Sequence, residues 1–164
     1  MSSWLWPTTA DVGMRIFAPS LSTLLSEASH GMQHYLMSPS AAATLNQHLR
    51  STGEWRVRAR HNPQEPAFLF LSWLDEVLYR AEVHEQWLVD ALVQITEDEQ
   101  GLLAIVQASW VDARLVEREI EIKAVTTHNL VVDEVQPHQT IQSQWEDVPD
   151  FDGPGWYADV VFDI

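Results

Sequence analysis

VGMRIFAPSLSTLLSEASHGMQHYL (residues 12–36) holds the two patterns from which the fold is read. Over residues 12–17, Val12, Met14 and Ile16 alternate with Gly13, Arg15 and Phe17, the period of a strand. Pro19 and Ser20 interrupt, and Ser20 is suited to cap a helix. Leu21, Leu24, Leu25, Ala28, Met32, Tyr35 and Leu36 then recur at helical spacing, which predicts an amphipathic helix over about 20–37. Gly31 within it costs about 1 kcal/mol against Ala, so the helix depends on packing.

Residues 38–52 fit a helical turn or a loop. Residues 54–60 alternate again, with Trp55, Val57 and Ala59 toward a core and Arg56, Arg58 and Arg60 outward. Pro66 starts a second helix over about 66–82, whose apolar residues Phe70, Trp73, Leu74, Val77, Leu78 and Ala81 predict a largely buried element. Trp73 and Tyr79 are both expected in the core. Strands are predicted at about 86–95, 102–110, 117–126, 128–135 and 156–163, with a long loop at about 136–155. Helices and strands do not alternate regularly. The expected fold is therefore α+β, one compact domain over 1–164 with a mostly antiparallel mixed sheet and two main helices. The stripe Arg56, Arg58, Arg60 is expected to face the acidic stripe Glu117, Glu119, Glu121 across that sheet.

Composition narrows the function. The 164 residues carry a formal net charge of −15. Phosphate backbones are bound by cations, so the chain repels nucleic acid on average. No apolar run reaches the ~18 residues of a membrane span. The segment up to Pro7 has neither the basic region nor the apolar stretch of a signal peptide. With no cysteine, disulfides, thiol catalysis and zinc-thiolate sites are excluded, and a cytoplasmic location is expected. Eight of the nine basic residues are arginine and Lys123 is the one lysine. No basic residue follows Lys123, whereas eight acids do.

Familiar catalytic motifs are absent, including a phosphate-binding glycine loop and a nucleophile elbow. His30 and His34 lie four apart on the first helix, without an accompanying acid, and are read as solvent-facing. Asp150–Gly153 lacks the later acids of a calcium loop and is read as a turn. A sharper set is dispersed. Asp163 stands beside the last residue, Ile164, and Asp11 precedes the first alternating strand. Convergence of these groups would make a hard-oxygen site for calcium, magnesium or manganese, with Lys123 near enough to offset excess negative charge.

Four segments, in order, carry a resemblance. Thr9-Ala10-Asp11-Val12-Gly13, residues 73–79 (WLDEVLY), Glu121–Thr126 with His128, and Gly155-Trp156 through Asp163-Ile164 resemble motifs of the archease family. Asp112 stands at the family's usual distance before Lys123. Departures stand at Pro7 and Thr8, where an acid and a histidine are common, at Ala113 and Val116, and at Thr127, where tyrosine is usual. The resemblance implies an accessory protein, not an enzyme. It would activate an RtcB-type GTP-dependent RNA ligase by promoting its guanylylation and multiple turnover in tRNA splicing or RNA repair. It implies a divalent-metal site at Asp11, Asp163 and the terminal group of Ile164, with calcium first among the candidates. Lys123, Glu121 and His128 would face the partner. A chaperone-like or metal-binding interaction module that lacks ligase activation is the alternative, and a stand-alone metal-dependent hydrolase a further one.

Overall fold

A computed structural model describes residues 2–164. Strands β1 (Ser3–Pro7) and β2 (Val12–Ala18) lead into helix α1 (Leu21–Leu36) and the short α2 (Pro39–Thr44). Next come β3 (Ser51–Arg58), α3 (Pro66–Val83), β4 (Gln86–Asp98), β5 (Gly101–Asp112) and β6 (Ala124–Val135). The two-residue strands β7 (Thr140–Ile141) and β8 (Phe151–Asp152) precede the last strand, β9 (Gly155–Asp163). One sheet has the order β1-β2-β9-β6 and another β3-β5-β4, while β7 pairs with β8. Every pairing within them is antiparallel. The α+β reading holds.

Helix α1 packs on β2 and β4, and α3 on β3, β4 and β6, so each helix touches both large sheets. Ser20 caps α1 as expected, its hydroxyl accepting from the Thr23 amide at 3.2 Å. Pro66 opens α3. The Trp73 indole donates to the Leu25 carbonyl at 2.8 Å, tying the helices together. One continuous core joins Met14 and Ile16 of β2, Leu24 and Met32 of α1, Trp55 of β3, Phe70 and Trp73 of α3 and Val160 and Phe162 of β9.

The other face of the β2–β9 ladder is also covered. Gly13, Arg15 and Phe17 alternate onto it opposite Val161, Asp159 and Tyr157. Residues 136–154, expected as a plain loop, fold across it around the β7–β8 hairpin. Trp145 stacks on Trp6 and Phe151 on Phe17, each pair with centroids 4.4 Å apart. Trp6, Val148 and Val161 form a small second core. Beside it the Arg15 guanidinium makes a two-pronged bond to Asp159, both contacts 2.7 Å, and lies 4.9 Å from the Trp145 ring centroid. A Cβ on Gly13 would come within 2.1 Å of the Trp6 ring, so this close approach requires glycine.

Four expectations need correction. Residues 117–123 form no strand, since they turn toward the α1–α2 corner: Ser38 and Ser40 hydroxyls bond the Glu117 carboxylate, and the Glu119 amide donates to the Leu36 carbonyl. The arginine stripe therefore does not meet the glutamates. Arg56 pairs with Glu54 and Arg58 with Asp98, partly exposed contacts that add little stability. Tyr79 is not core but 46% exposed, with its ring edge against His84. His30 is not solvent-facing: it is half-buried, its Nε2 3.0 Å from the Val89 carbonyl oxygen.

Two consequences are measurable. Arg15→Ala leaves Asp159 buried without its partner and is expected to lower unfolding free energy by about 3–5 kcal/mol in a denaturant titration; a loss below about 1 kcal/mol would contradict the packing described. Burial pushes the Asp75 carboxyl above its ordinary range, against a smaller opposing effect of Arg60. A group with a raised folded pKa favours the fold at low pH and loses that contribution as pH rises. Asp75→Asn is thus expected to raise Tm at neutral pH and to converge with the parent below the ordinary aspartate range.

Candidate functional site

The end of the first sheet gathers four of the residues singled out in the sequence. Strand β9 lies between β2 and β6, so its last residues have neighbours on both sides. On one side the ladder ends at Val12 paired with Phe162. Asp11 is the residue just before Val12, in a bend outside the ladder, and Asp163 the residue just after Phe162. On the other side Ala124 pairs with Asp163, and the Lys123 amide donates to the Asp163 carbonyl at 2.7 Å. The Lys123 ammonium donates to the Ile164 carbonyl oxygen at 3.3 Å. The end of β9 is thus flanked by an aspartate on one side and the one lysine on the other.

Local structure explains the placement. Phe162 and Val161 are buried on opposite faces and anchor the strand end, so Asp163 and Ile164 are held rather than frayed. Asp163 shares a face with Val161 and Asp159 by strand alternation. At Asp11 the positioning residue is Thr8, whose hydroxyl accepts from the Asp11 amide at 2.9 Å. This hydroxyl-centred turn links β1 to β2. Pro7 ends the edge strand β1, where a missing amide is tolerated. Two departures from the family pattern therefore build the turn that carries Asp11.

The other two candidates stand apart from this pair of carboxylates. Residues 127–130 bulge out of the β6–β9 ladder between Thr126 and Val131, and His128 is exposed there. Asn129 within the bulge has a φ of 54°. Glu121 is exposed and lines a neighbouring cavity. Asp112 is engaged elsewhere: its carboxyl is held below the ordinary aspartate range by the Arg114 guanidinium and amide.

As a donor set, two carboxylates and an adjacent main-chain or terminal oxygen suit a hard divalent cation. Among the described residues no group of three or more His, Cys, Asp or Glu side chains gathers in a metal-binding arrangement. Side-chain donors at this end of the sheet thus number two, and further ligands would come from Ile164 oxygen and water. Sequence reasoning singled out Asp11, Asp163 and Lys123 but gave no structural role to Thr8, whose signal is the three-residue spacing of a hydroxyl ahead of an aspartate amide.

The model of the Archease protein family (MTH1598/TM1083) matches residues 5–164, and the chain belongs to that family. Archeases are accessory proteins associated with an RNA ligase rather than enzymes in their own right. The solution structure of Methanobacterium thermoautotrophicum protein 1598 is similar over 99% of both chains, with 19% identity and a TM-score of 0.61. At that identity the likeness shows the fold. No curated protein matches the chain. No helix among the described residues is long and apolar enough to cross a membrane.

Facing like charges across an antiparallel pair are destabilising by about 0.2–1 kcal/mol. With chelator and low salt, Asp163→Asn is expected to raise stability by that amount. A lower Tm for the variant under those conditions would mean that the carboxylates do not face each other.

Proposed function

We propose that this protein activates an RtcB-type GTP-dependent RNA ligase, promoting guanylylation of the ligase and repeated turnover in tRNA splicing or RNA repair. The reading includes a divalent-cation site at the end of β9, with calcium as first candidate and magnesium or manganese as the others. The observation that supports it is the last pair of the β2–β9 ladder, Val12 with Phe162, which leaves Asp11 and Asp163 each one residue beyond it, with Lys123 bonded to Ile164, in a chain of the archease family.

Asp11 and Asp163 would hold the ion through carboxylate oxygens, and the terminal group of Ile164 would complete the protein's share. When bound, the ion supplies a fixed positive charge on an otherwise acidic surface. Lys123 does two things here. It fixes the position of Ile164 and offsets part of the negative charge on its own side of β9. The formal charge of −15 favours contact with a basic surface of the ligase over contact with RNA. Glu121, Lys123 and His128 are exposed and would take part in that contact.

The direct test follows a ligase-guanylate adduct formed from labelled GTP and manganese, with the protein at low stoichiometry. Faster labelling and several ligations per ligase are expected with the parent chain. Asp11→Ala is expected to abolish the stimulation while keeping a cooperative melt. Stimulation unchanged by that substitution would remove Asp11 from the mechanism. A second measurement isolates the ion. Calcium at 100 times its Kd is expected to add about 2.7 kcal/mol of stability, and Asp163→Asn to remove that gain. No shift at millimolar calcium would leave an interaction module that works without metal.

A further inference from the structure

Residues 120–122 have the sequence pattern of a strand and no partner strand. Ile120 is half-buried, Glu121 exposed and Ile122 buried, the alternation of an extended segment. Its flanks are fixed at both ends. Arg118 bridges to Met37 and the Glu119 amide bonds the Leu36 carbonyl on one side. The Lys123 amide bonds Asp163 on the other. Between these anchors, the backbone amides and carbonyls of Ile120, Glu121 and Ile122 make no hydrogen bond among the described residues. A segment held extended with free backbone groups is a template for another strand.

Beside it lies a cavity of about 470 Å³ between α1, α3 and this segment. Leu36, Val77, Trp87 and Ile122 give it apolar walls. Trp87 is 1% exposed, and its indole N–H has no acceptor among the described residues. Three exposed acids, Glu82, Glu119 and Glu121, stand around the opening. The single basic residue in the lining, Arg118, is already bonded to Glu82 at 2.6 Å. The rim therefore carries an unpaired surplus of negative charge.

We propose that residues 120–122 and this cavity form a docking groove for an extended segment of a partner protein. The segment pairs along the free backbone, places one apolar side chain in the cavity and sets Lys or Arg residues against Glu119 and Glu121. Charge decides the occupant. A second copy of a chain at −15 would bring like charge to an acidic rim, whereas a basic segment is attracted to it. This inference does not rest on the ligase reading, although the groove adjoins Lys123 and a ligand there would bear on its position.

The test starts from selection of a display library of random nine-residue peptides against the full chain. Enriched peptides are expected to alternate apolar residues with Lys or Arg. At saturation they are expected to slow amide exchange at Ile120, Glu121 and Ile122 at least ten-fold, measured by NMR. The Glu119→Lys/Glu121→Lys double variant, altered only at exposed side chains, is expected to keep its melt and lose at least ten-fold in affinity for those peptides. No enrichment over an unrelated acidic protein, enriched peptides without basic residues, or exchange protection elsewhere would overturn the proposal. So would protection of these amides that grows with protein concentration alone and tracks a dimer by light scattering, since the occupant would then be a second copy.

Discussion

Strand β9 is bonded along both edges and covered on both faces, and the placement of the candidate site residues depends on that confinement. Its inward residues, Ala158, Val160 and Phe162, belong to the main core. Its other face carries Asp159 against Arg15, under Trp145. A slip of one residue would exchange these faces, burying Asp159 in the apolar core and turning Val160 toward a charge. The Arg15–Asp159 bond therefore acts as a register lock, a role for buried ion pairs separate from net stability. Because the register is locked, the Val12–Phe162 pair is fixed, with Asp11 and Asp163 each one residue beyond it.

The same strand explains why one sheet end gathers the candidate residues. Two antiparallel neighbours deliver the beginning of β2 and the beginning of β6 to the end of β9. Asp11 and Lys123 are separated by most of the chain yet lie on either side of Asp163. The acids of the last forty residues divide into different tasks. Asp159 is consumed by Arg15, Asp150 accepts the Ser143 amide and Asp152 the Thr140 hydroxyl. Asp163 is left at the strand end, one residue beyond the Phe162–Val12 pair. An acidic composition thus resolves into carboxylates bonded within β9 and the covering segment and one at the strand end.

Much of this was legible because the patterns were strong. Alternation in 12–17 and 54–60 and the helical spacing in 21–36 and 66–82 each matched an element, since one face of each is deeply buried. The remainder was hidden by tertiary contacts that leave no local period. Residues 117–123 look like a strand, yet Glu117 is taken by Ser38 and Ser40, and the segment turns to the helix corner. Residues 136–154 look like a loop because their ordering comes from Trp145 and Phe151 stacking on distant aromatics. β1 was missed: it has only five residues, ends at Pro7 and pairs along only one edge. Glu121 and His128, grouped with Lys123 by the family resemblance as partner-facing, stand on a cavity wall and in a bulge, placements that no local period shows.

The central claim is that Asp11 and Asp163 face each other at the end of β9 and bind a hard cation together. A crystal of the protein soaked in manganese, measured for anomalous scattering, tests it most directly. The account predicts a peak within coordination distance of both carboxylates, with Lys123 still bonded to Ile164. Well-ordered Asp11 and Asp163 carboxylates with no peak between them, or a register that leaves the two apart, would contradict it.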